Sequence, residues 1–476
     1  MPVQFSRLCH LGGVGVAGYL LYDISTREWS VRHTWSTALT QYFSSWILAA
    51  CGRQQLRRLC REAERGDEVQ RSLLTEILQR HQGTSVARSH KLQGVATYDV
   101  FRQSHPVTHR SDYMRGGQYS LHEEHIENRE EEMKRTFLQR GALTAFAVLA
   151  DFFPESLDEL QRVALLTSIR DVLGMLPGFS TRESSVQRLS FVLASPLEAY
   201  ELKSETDRLY AHALFALKDS ALGIIQSSSA AGVNELLNGA RDNRRHLVQD
   251  MRNGHLWDRQ LPEAAPQPEM RAVLDAALCG PDGRRSQEVD RMLKARALAS
   301  ELWPRLKVVV ITGETSCDEA LKESLGRVPT YAPLYCTEEG HLGINVFPDL
   351  PFGVCTYLLD PGSMFFEFAP TGNDNPVLDQ VIPAWEAAVG QRYDILVTTP
   401  NGLCRCRLGE TIKVHAMFGK MPVVSVEPKP GVAALASLVA FRGVFCSGWL
   451  ARQSPASHMQ CWLKAVGRMK LGCMGS

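Results

Sequence analysis

The 476-residue chain has no excess of charge: 52 basic residues face 52 acidic ones, and the pI is about 7.2. With no basic stripe, nucleic acid is excluded as an expected partner. The twelve cysteines form no CxxC pair and no His/Cys cluster at zinc spacing, which excludes a zinc ribbon or finger. Most of them sit in apolar runs, where a free cysteine behaves as a small hydrophobe, so a reducing compartment is expected for the main body. No internal repeat is present, which excludes a solenoid. Long apolar runs are also missing. Leu8–Tyr22 is too short and too rich in glycine for a membrane span, although its length suits a signal-like segment or a weak anchor.

The remaining sequence is that of a mixed α/β chain, long enough for two or three domains. Residues 1–60 read as an apolar and amphipathic anchor or signal-like region. In it, Trp35–Cys51 is followed by the basic run Arg53–Arg61, so that residues 8–61 are expected to touch a membrane surface. The alternative is an ordinary packed helical hairpin. From Asp67 to Arg80 a helical period sets Val69, Leu73, Leu74, Ile77 and Leu78 on one face. Residues 121–136 read as a charged, solvated helix. Helices are expected over most of 136–260, including Ala211–Leu237. Strand-like runs become frequent after about residue 325.

Three motifs follow in order. In LKVVVITGE, a buried strand Val308–Ile311 ends in Thr312-Gly313-Glu314, and glycine at a strand's carboxyl end lets a ligand approach the backbone. A simple strand-to-helix turn would look the same. In LYCTEEGHLGIN, Tyr335 offers a ring to a base, Thr337 a hydroxyl to a phosphate, and Glu339 a carboxylate to Mg²⁺. A strand end with two solvated acids is the alternative, and His341 reads as a packed or exposed histidine. In YDILVTTPNGLCRCRLGETIKV, two β runs flank a Pro-Asn-Gly turn, a hairpin pattern. Arg405 and Arg407 alternate on its second strand, and Gly409-Glu410 closes it. A carboxylate there can accept two hydrogen bonds from a vicinal diol; an exposed, unremarkable glutamate is the alternative.

Taken together, LWPRLKVVVITGE, YCTEEGHLGIN, MFFEFAP and YDILVTTPNGLCRCRLGETIKV resemble the Gretchen Hagen 3 family of acyl-acid amido synthetases, nearest to its vertebrate members. ALFALKDSALGI and YDVFRQSHPV add weaker support. The resemblance implies an adenylate-forming large domain over residues 65–425 behind a helical N-terminal region. It implies activation of a small carboxylic acid by ATP and Mg²⁺, then attack by an amino acid. By matched position it implies adenine near Gly313 and Tyr335, phosphate at Thr337, metal at Glu339, and ribose at Glu410 beside Arg407. No catalytic group is singled out. A location in the cytoplasm, or at the endoplasmic reticulum or nuclear envelope membrane, goes with this reading.

The sequence also departs from the family pattern. No Ser/Thr/Gly-rich phosphate loop stands between Tyr113 and Arg140. Glu338 replaces a small hydroxyl residue and adds negative charge beside the phosphates. Cys404 and Cys406 stand where tyrosines are usual. Glu410 replaces an aspartate and shifts the carboxylate's reach by about 1–1.5 Å. Residues 426–476 read as a divergent tail, and the family's C-terminal lid domain as truncated or divergent. A truncated or alternatively spliced product accounts for this, and a short apolar helix over Val432–Gly448 is the alternative. The second reading of the whole chain is a degenerate, catalytically inactive member that acts as a binding or membrane-associated protein.

Overall fold

Short apolar runs become the strands of two larger sheets in a computed structural model of the chain, and Met114–Arg115 pairs with Gln118–Tyr119 in a third, two-stranded sheet. The structure describes residues 18, 20–27, 29–30, 32–82, 97–115, 118–119, 136–158, 160–166, 191–256, 268–313, 319–337, 339–349, 354–372, 380–427 and 470–471. Gly83–Ser85, the charged segment 121–135, Glu314, Glu338 and nearly all of the tail from residue 428 lie outside the described residues, as do residues 8–17 of the first apolar stretch.

The first sheet is parallel and has four strands in the order β1 (Arg162–Leu165), β2 (Leu222–Ser227), β3 (Val308–Ile311), β4 (Thr330–Tyr331). β1, β2 and β3 are buried along their whole length, as expected for strands covered on both faces. Helices Glu205–Lys218 and Ala230–Asp242 bracket β2 in sequence and pack in the same core through Leu214, Phe215, Val233 and Leu236. Ser204 and Ser229 cap them, each accepting from the backbone N–H three residues on. The strand at Val308–Ile311 agrees with the sequence reading. β2 corrects the expectation of continuous helix from Ala211 to Leu237: a fully buried run of six residues carries no period that separates strand from helix.

The second sheet has ten strands and is mostly antiparallel. Its main path runs β9 (Ile382–Pro383), β8 (Phe365–Pro370), β10 (Arg392–Thr398), β11 (Cys406–Phe418), β12 (Met421–Glu427), β7 (Tyr357–Leu359), β6 (Gly340–Ile344), β5 (Leu334–Thr337). Thr108–His109 adds a parallel pair with Cys406–Arg407, and Lys470–Leu471 pairs with Ala416–Met417. The fold is therefore α/β, with a helical N-terminal region.

In that region α1 (Trp35–Glu64) and α2 (Gly66–His81) form a helical pair. α1 runs through the boundary placed at residue 60. Leu59 and Ala63 join the core of the large sheet. A Cβ on Gly52 would sit 2.2 Å from the carbonyl oxygen of Leu143, so glycine permits the close approach of helix α3 (Leu143–Phe152). α2 buries Gln70, Leu74, Ile77 and Leu78 and leaves Val69 and Leu73 half-buried beside them. Gln70 is satisfied inside: its Nε2 donates to the carbonyls of Pro361 (2.7 Å) and Met364 (2.8 Å), and its Oε1 accepts from Phe366 N (2.8 Å). These bonds fix the approach to β8.

Candidate active site

The hairpin of β10 and β11 is antiparallel, with Leu396 opposite Arg407 and Asp394 opposite Thr411. One residue of β10 thus faces three of β11, and the register shifts there. Gly409 takes φ +86° inside this bulge, a backbone value that costs glycine little. The bulge aims Glu410 away from the regular alternation, onto the hydroxyl of Tyr335, which donates to its Oε2.

Tyr335 comes from β5, whose pairing with β6 also shifts register, between Tyr335 and Cys336. In the turn that follows, Glu339 N donates to Thr337 Oγ1 at 3.4 Å, and Gly340 adopts φ +140°. The Glu339 side chain is fully enclosed and lies on Arg110, with Nε–Oε1 at 2.5 Å and Nη2–Oε2 at 2.8 Å. Arg110 opens a 3₁₀ turn, Arg110–Tyr113, which is stitched to β11. Thr108 Oγ1 donates to the Cys404 carbonyl (2.7 Å), and Cys404 N donates to the Tyr113 hydroxyl (3.1 Å).

Four of the six residues singled out in the sequence therefore meet: Tyr335, Thr337, Glu339 and Glu410. Arg407 lies on the same strand, but its Nη1 donates to Asp394 Oδ2 at 3.2 Å, an oxygen pair shared with Thr411. Gly313 belongs to the other sheet, where its N–H donates to the Ser228 carbonyl at 2.8 Å. Arg405 is not part of the strand. It takes φ +48° in the turn and forms a bidentate pair with Glu367. The ring of Tyr335 is enclosed at 1 % exposure and packs near Tyr357, so in this conformation no face of it is open for a base.

Electrostatics follow from burial. Removal from water holds the Glu410 carboxyl above its ordinary range, and the nearby Glu339 carboxylate adds to this, while the Tyr335 hydrogen bond and Arg110 oppose it. Burial, then the adjacent Glu410, pushes the Tyr335 phenol well up. Burial raises the Cys404 and Cys406 thiols to about 12, which leaves them as packing groups rather than nucleophiles. The seven cysteines among the described residues are free.

A small, half-open cleft lies beside this cluster, between the Glu339-Gly340-His341 turn, Ser363-Met364 and the Pro400-Asn401 turn. Its floor is braced by a chain of buried charge that the sequence did not reveal. His341 Nε2 lies 3.5 Å from Asp360 Oδ2, Arg140 Nε donates to the same carboxylate at 2.8 Å, and Arg140 also reaches Glu62 on α1. Burial alone would raise the Asp360 carboxyl, but Arg140 and His341 more than offset it and hold it far below the usual range. His341 is thus packed. Arg110 was likewise missed, because its partner lies 229 residues away and no spacing signals it.

Mg²⁺ is usually held by one or two carboxylates together with phosphate oxygens. Glu339 is the carboxylate in position, but Arg110 engages both of its oxygens. As folded, the pair does not offer Glu339 to a divalent ion, and among the described residues no group of three or more His, Cys, Asp or Glu could hold a metal.

The chain matches the model of the GH3 family N-terminal domain over residues 54–115 and 174–329, and that of the GH3 family central domain over 357–429. It is 35% identical over 136 residues to the human GH3 domain-containing protein, a match covering 27% of this chain and 25% of that protein. Against the rice probable indole-3-acetic acid-amido synthetase GH3.2 it is 24% identical over 430 residues, 79% of this chain and 68% of the relative. Among solved structures, the GH3.15 acyl acid amido synthetase superposes with a TM-score of 0.60 at 17% identity, over 78% of this chain and 70% of that one. A further match is AtGH3.15 acyl acid amido synthetase in complex with 2,4-DB, with a TM-score of 0.58. Two domain models that together span more than half of the sequence, and a fold shared with solved members, lead to one conclusion: the chain belongs to the GH3 family.

Proposed function

We propose that this protein is an ATP-dependent acid–amino acid ligase. The observation that carries the reading is the meeting of Tyr335, Thr337 and Glu339, on one strand and the turn after it, with Glu410 from a strand 75 residues beyond Tyr335, beside a cleft that Glu339 lines. In the proposed reaction a carboxylate oxygen of a small organic acid attacks the α-phosphorus of ATP. The bond to the bridging oxygen breaks and pyrophosphate leaves. An amino acid's amine then attacks the acyl carbon, the acyl–phosphate C–O bond breaks, AMP leaves, and the nitrogen gives up a proton. Glu410 accepts from the ribose hydroxyls, with the Tyr335 hydroxyl holding its carboxylate in place. Thr337 turns its hydroxyl to a phosphate oxygen, and Arg110, drawn off Glu339 by the incoming phosphates, meets their charge. No step is routed through Mg²⁺, because Glu339 is engaged. The test is ATP–pyrophosphate exchange across a panel of carboxylic acids. Exchange that depends on one acid class supports the ligase, and its absence with every acid, together with no MgATP binding by calorimetry, sinks it.

A second reading rests on the Arg110–Glu339 pair itself. A carboxylate already neutralised from within suits a degenerate member that keeps the scaffold as a binding protein. Calorimetry with MgATP on the natural protein and on Arg110→Ala separates the two. Binding that appears only in the variant, with no exchange in the natural protein, favours the degenerate reading.

A further inference from the structure

We propose that the N-terminal helical region is a docking surface for an anionic lipid bilayer, with helix α1 lying in the plane of the membrane. Nine large apolar side chains are strongly exposed among the described residues, and six of them fall between residues 21 and 47: Leu21, Tyr22, Trp35, Phe43, Trp46 and Ile47. The other three are single valines, at positions 100, 273 and 354, and isolated exposed residues of that kind are ordinary. Phe43, Trp46 and Ile47 stand at i, i+3 and i+4, and Trp35 lies about two turns before them, so one side of the helix carries them all.

The rest of the region fixes that side outward. The opposite face of α1 is buried through Ala38, Gln41, Ser45, Ala49 and Gly52. Gln41 Nε2 donates to the Gln161 carbonyl at 2.9 Å, and Ser30 Oγ donates to Asp219 at 2.5 Å. Rotating the stripe inward would break these contacts and the Gly52 packing. The exposed stripe therefore cannot be hidden by a turn of the helix.

Charge selects the occupant. Between Trp29 and Arg61 the chain has no acidic residue. Along the exposed side, Ile47 and Ala50 lead at three- and four-residue spacing to Gln54, Arg57 and Arg61. An apolar stripe with two indoles, continued by arginines, fits the boundary between acyl chains and anionic headgroups. In sequence, the apolar stretch Leu8–Tyr22 ends with Leu21 and Tyr22, which belong to this surface. No helix among the described residues is long and apolar enough to cross a membrane, which agrees with a helix that lies flat. A second copy of the chain fits less well, because the same segment brings no carboxylate to meet the arginines.

The test is flotation of the full chain with phosphatidylcholine vesicles, with and without phosphatidylserine, read together with the blue shift of tryptophan emission. The expected result is co-flotation and a blue shift with phosphatidylserine present, and weaker binding to phosphatidylcholine alone. Trp46→Ser/Ile47→Ser removes two half-exposed apolar groups and is expected to lower partitioning at least about tenfold on both vesicles. Arg57→Gln/Arg61→Gln is expected to lower it about fivefold per arginine with phosphatidylserine and to leave phosphatidylcholine binding unchanged. All four positions are exposed, so the urea midpoint serves as a folding control. No co-flotation overturns the proposal. So does normal binding by the Trp46/Ile47 variant, which would move the contact to residues 1–19. Conversion of a dimer to a monomer by that variant, with no vesicle binding, would assign the stripe to a second copy instead.

Discussion

The turn that leads into β11 is held by one buried ion pair, and its removal should be costly. Arg405 Nε and Nη2 each donate to a Glu367 oxygen at 2.9 Å, and Nη1 donates to the carbonyls of His105 (2.5 Å) and Arg102 (3.1 Å). The guanidinium also lies over the Phe101 ring. Both charged side chains are essentially unexposed, at 0% and 1%. Arg405→Met fills similar space and keeps a non-glycine residue at φ +48°, so the backbone cost cancels in the comparison. What remains is a stranded carboxylate and two carbonyls without their donor. Removing one partner of a buried pair costs about 3–5 kcal/mol, a large share of the roughly 5–15 kcal/mol that holds a domain together.

Urea unfolding followed by tryptophan fluorescence gives the first measurement, with Glu367→Gln as the milder companion in case Arg405→Met does not fold. The decisive quantity is the coupling in the double variant Arg405→Met/Glu367→Met. With both charges gone, the carboxylate is no longer stranded, and the double variant should be more stable than Arg405→Met alone. A loss below about 1 kcal/mol in Arg405→Met, or a double variant whose loss equals the sum of the two singles, would refute this account of the turn.

Three further outcomes follow from the charges and close contacts. Asp360, depressed by Arg140 and His341, contributes stability that is complete above the unfolded carboxylate range near pH 4 and lost as pH falls toward its lower folded value; Asp360→Asn should lower the urea midpoint at pH 7, and an unchanged midpoint would show the network to be idle. Glu410 has the opposite sign: its folded carboxyl titrates above the unfolded value, so stability falls as pH rises through that interval, and Glu410→Gln should raise the midpoint at pH 7 but not below pH 4 while weakening ATP binding, with a lower midpoint at pH 7 counting against the reading. Gly52→Val must push α1 off the Leu143 carbonyl, 2.2 Å from the added Cβ; a cost of at least about 2 kcal/mol is expected in thermal unfolding, and a neutral effect would mean that the helices separate freely.

The parts of the fold legible in the sequence were those bounded by strong local signals. Val308–Ile311 ends at a glycine, and the β10–β11 hairpin turns at Pro-Asn-Gly, so both could be placed from neighbours alone. Leu222–Ser227 could not, because its six buried residues sit between two capped helices and share their apolar character. On the inward face of α2, Gln70 was missed for a related reason. Gln70 is buried because three backbone groups of residues 361–366 need it, a demand set nearly three hundred residues away. In the site, the carboxylates were legible because glutamate after Gly409, and glutamate before Gly340, mark places where a turn aims a side chain. Their partners were not, since neither Tyr335–Glu410 nor Arg110–Glu339 has any period in sequence.

Those two partnerships differ in what a ligand would have to do. At Glu410 a ribose hydroxyl would replace or join the Tyr335 hydroxyl, exchanging one neutral donor for another, and such an exchange changes free energy by only about 1 kcal/mol. At Glu339 a divalent ion would have to displace a guanidinium that holds both oxygens in an enclosed site, leaving Arg110 to find another anion. Only a ligand that brings its own phosphate for Arg110 can make that exchange balance. The geometry therefore favours an order in which the nucleotide's phosphates draw Arg110 away before Glu339 becomes available. Stopped-flow mixing with ATP in EDTA tests this directly: nucleotide binding without a divalent ion, abolished in Arg110→Ala, is the expected outcome, and binding that strictly requires the metal would refute the order.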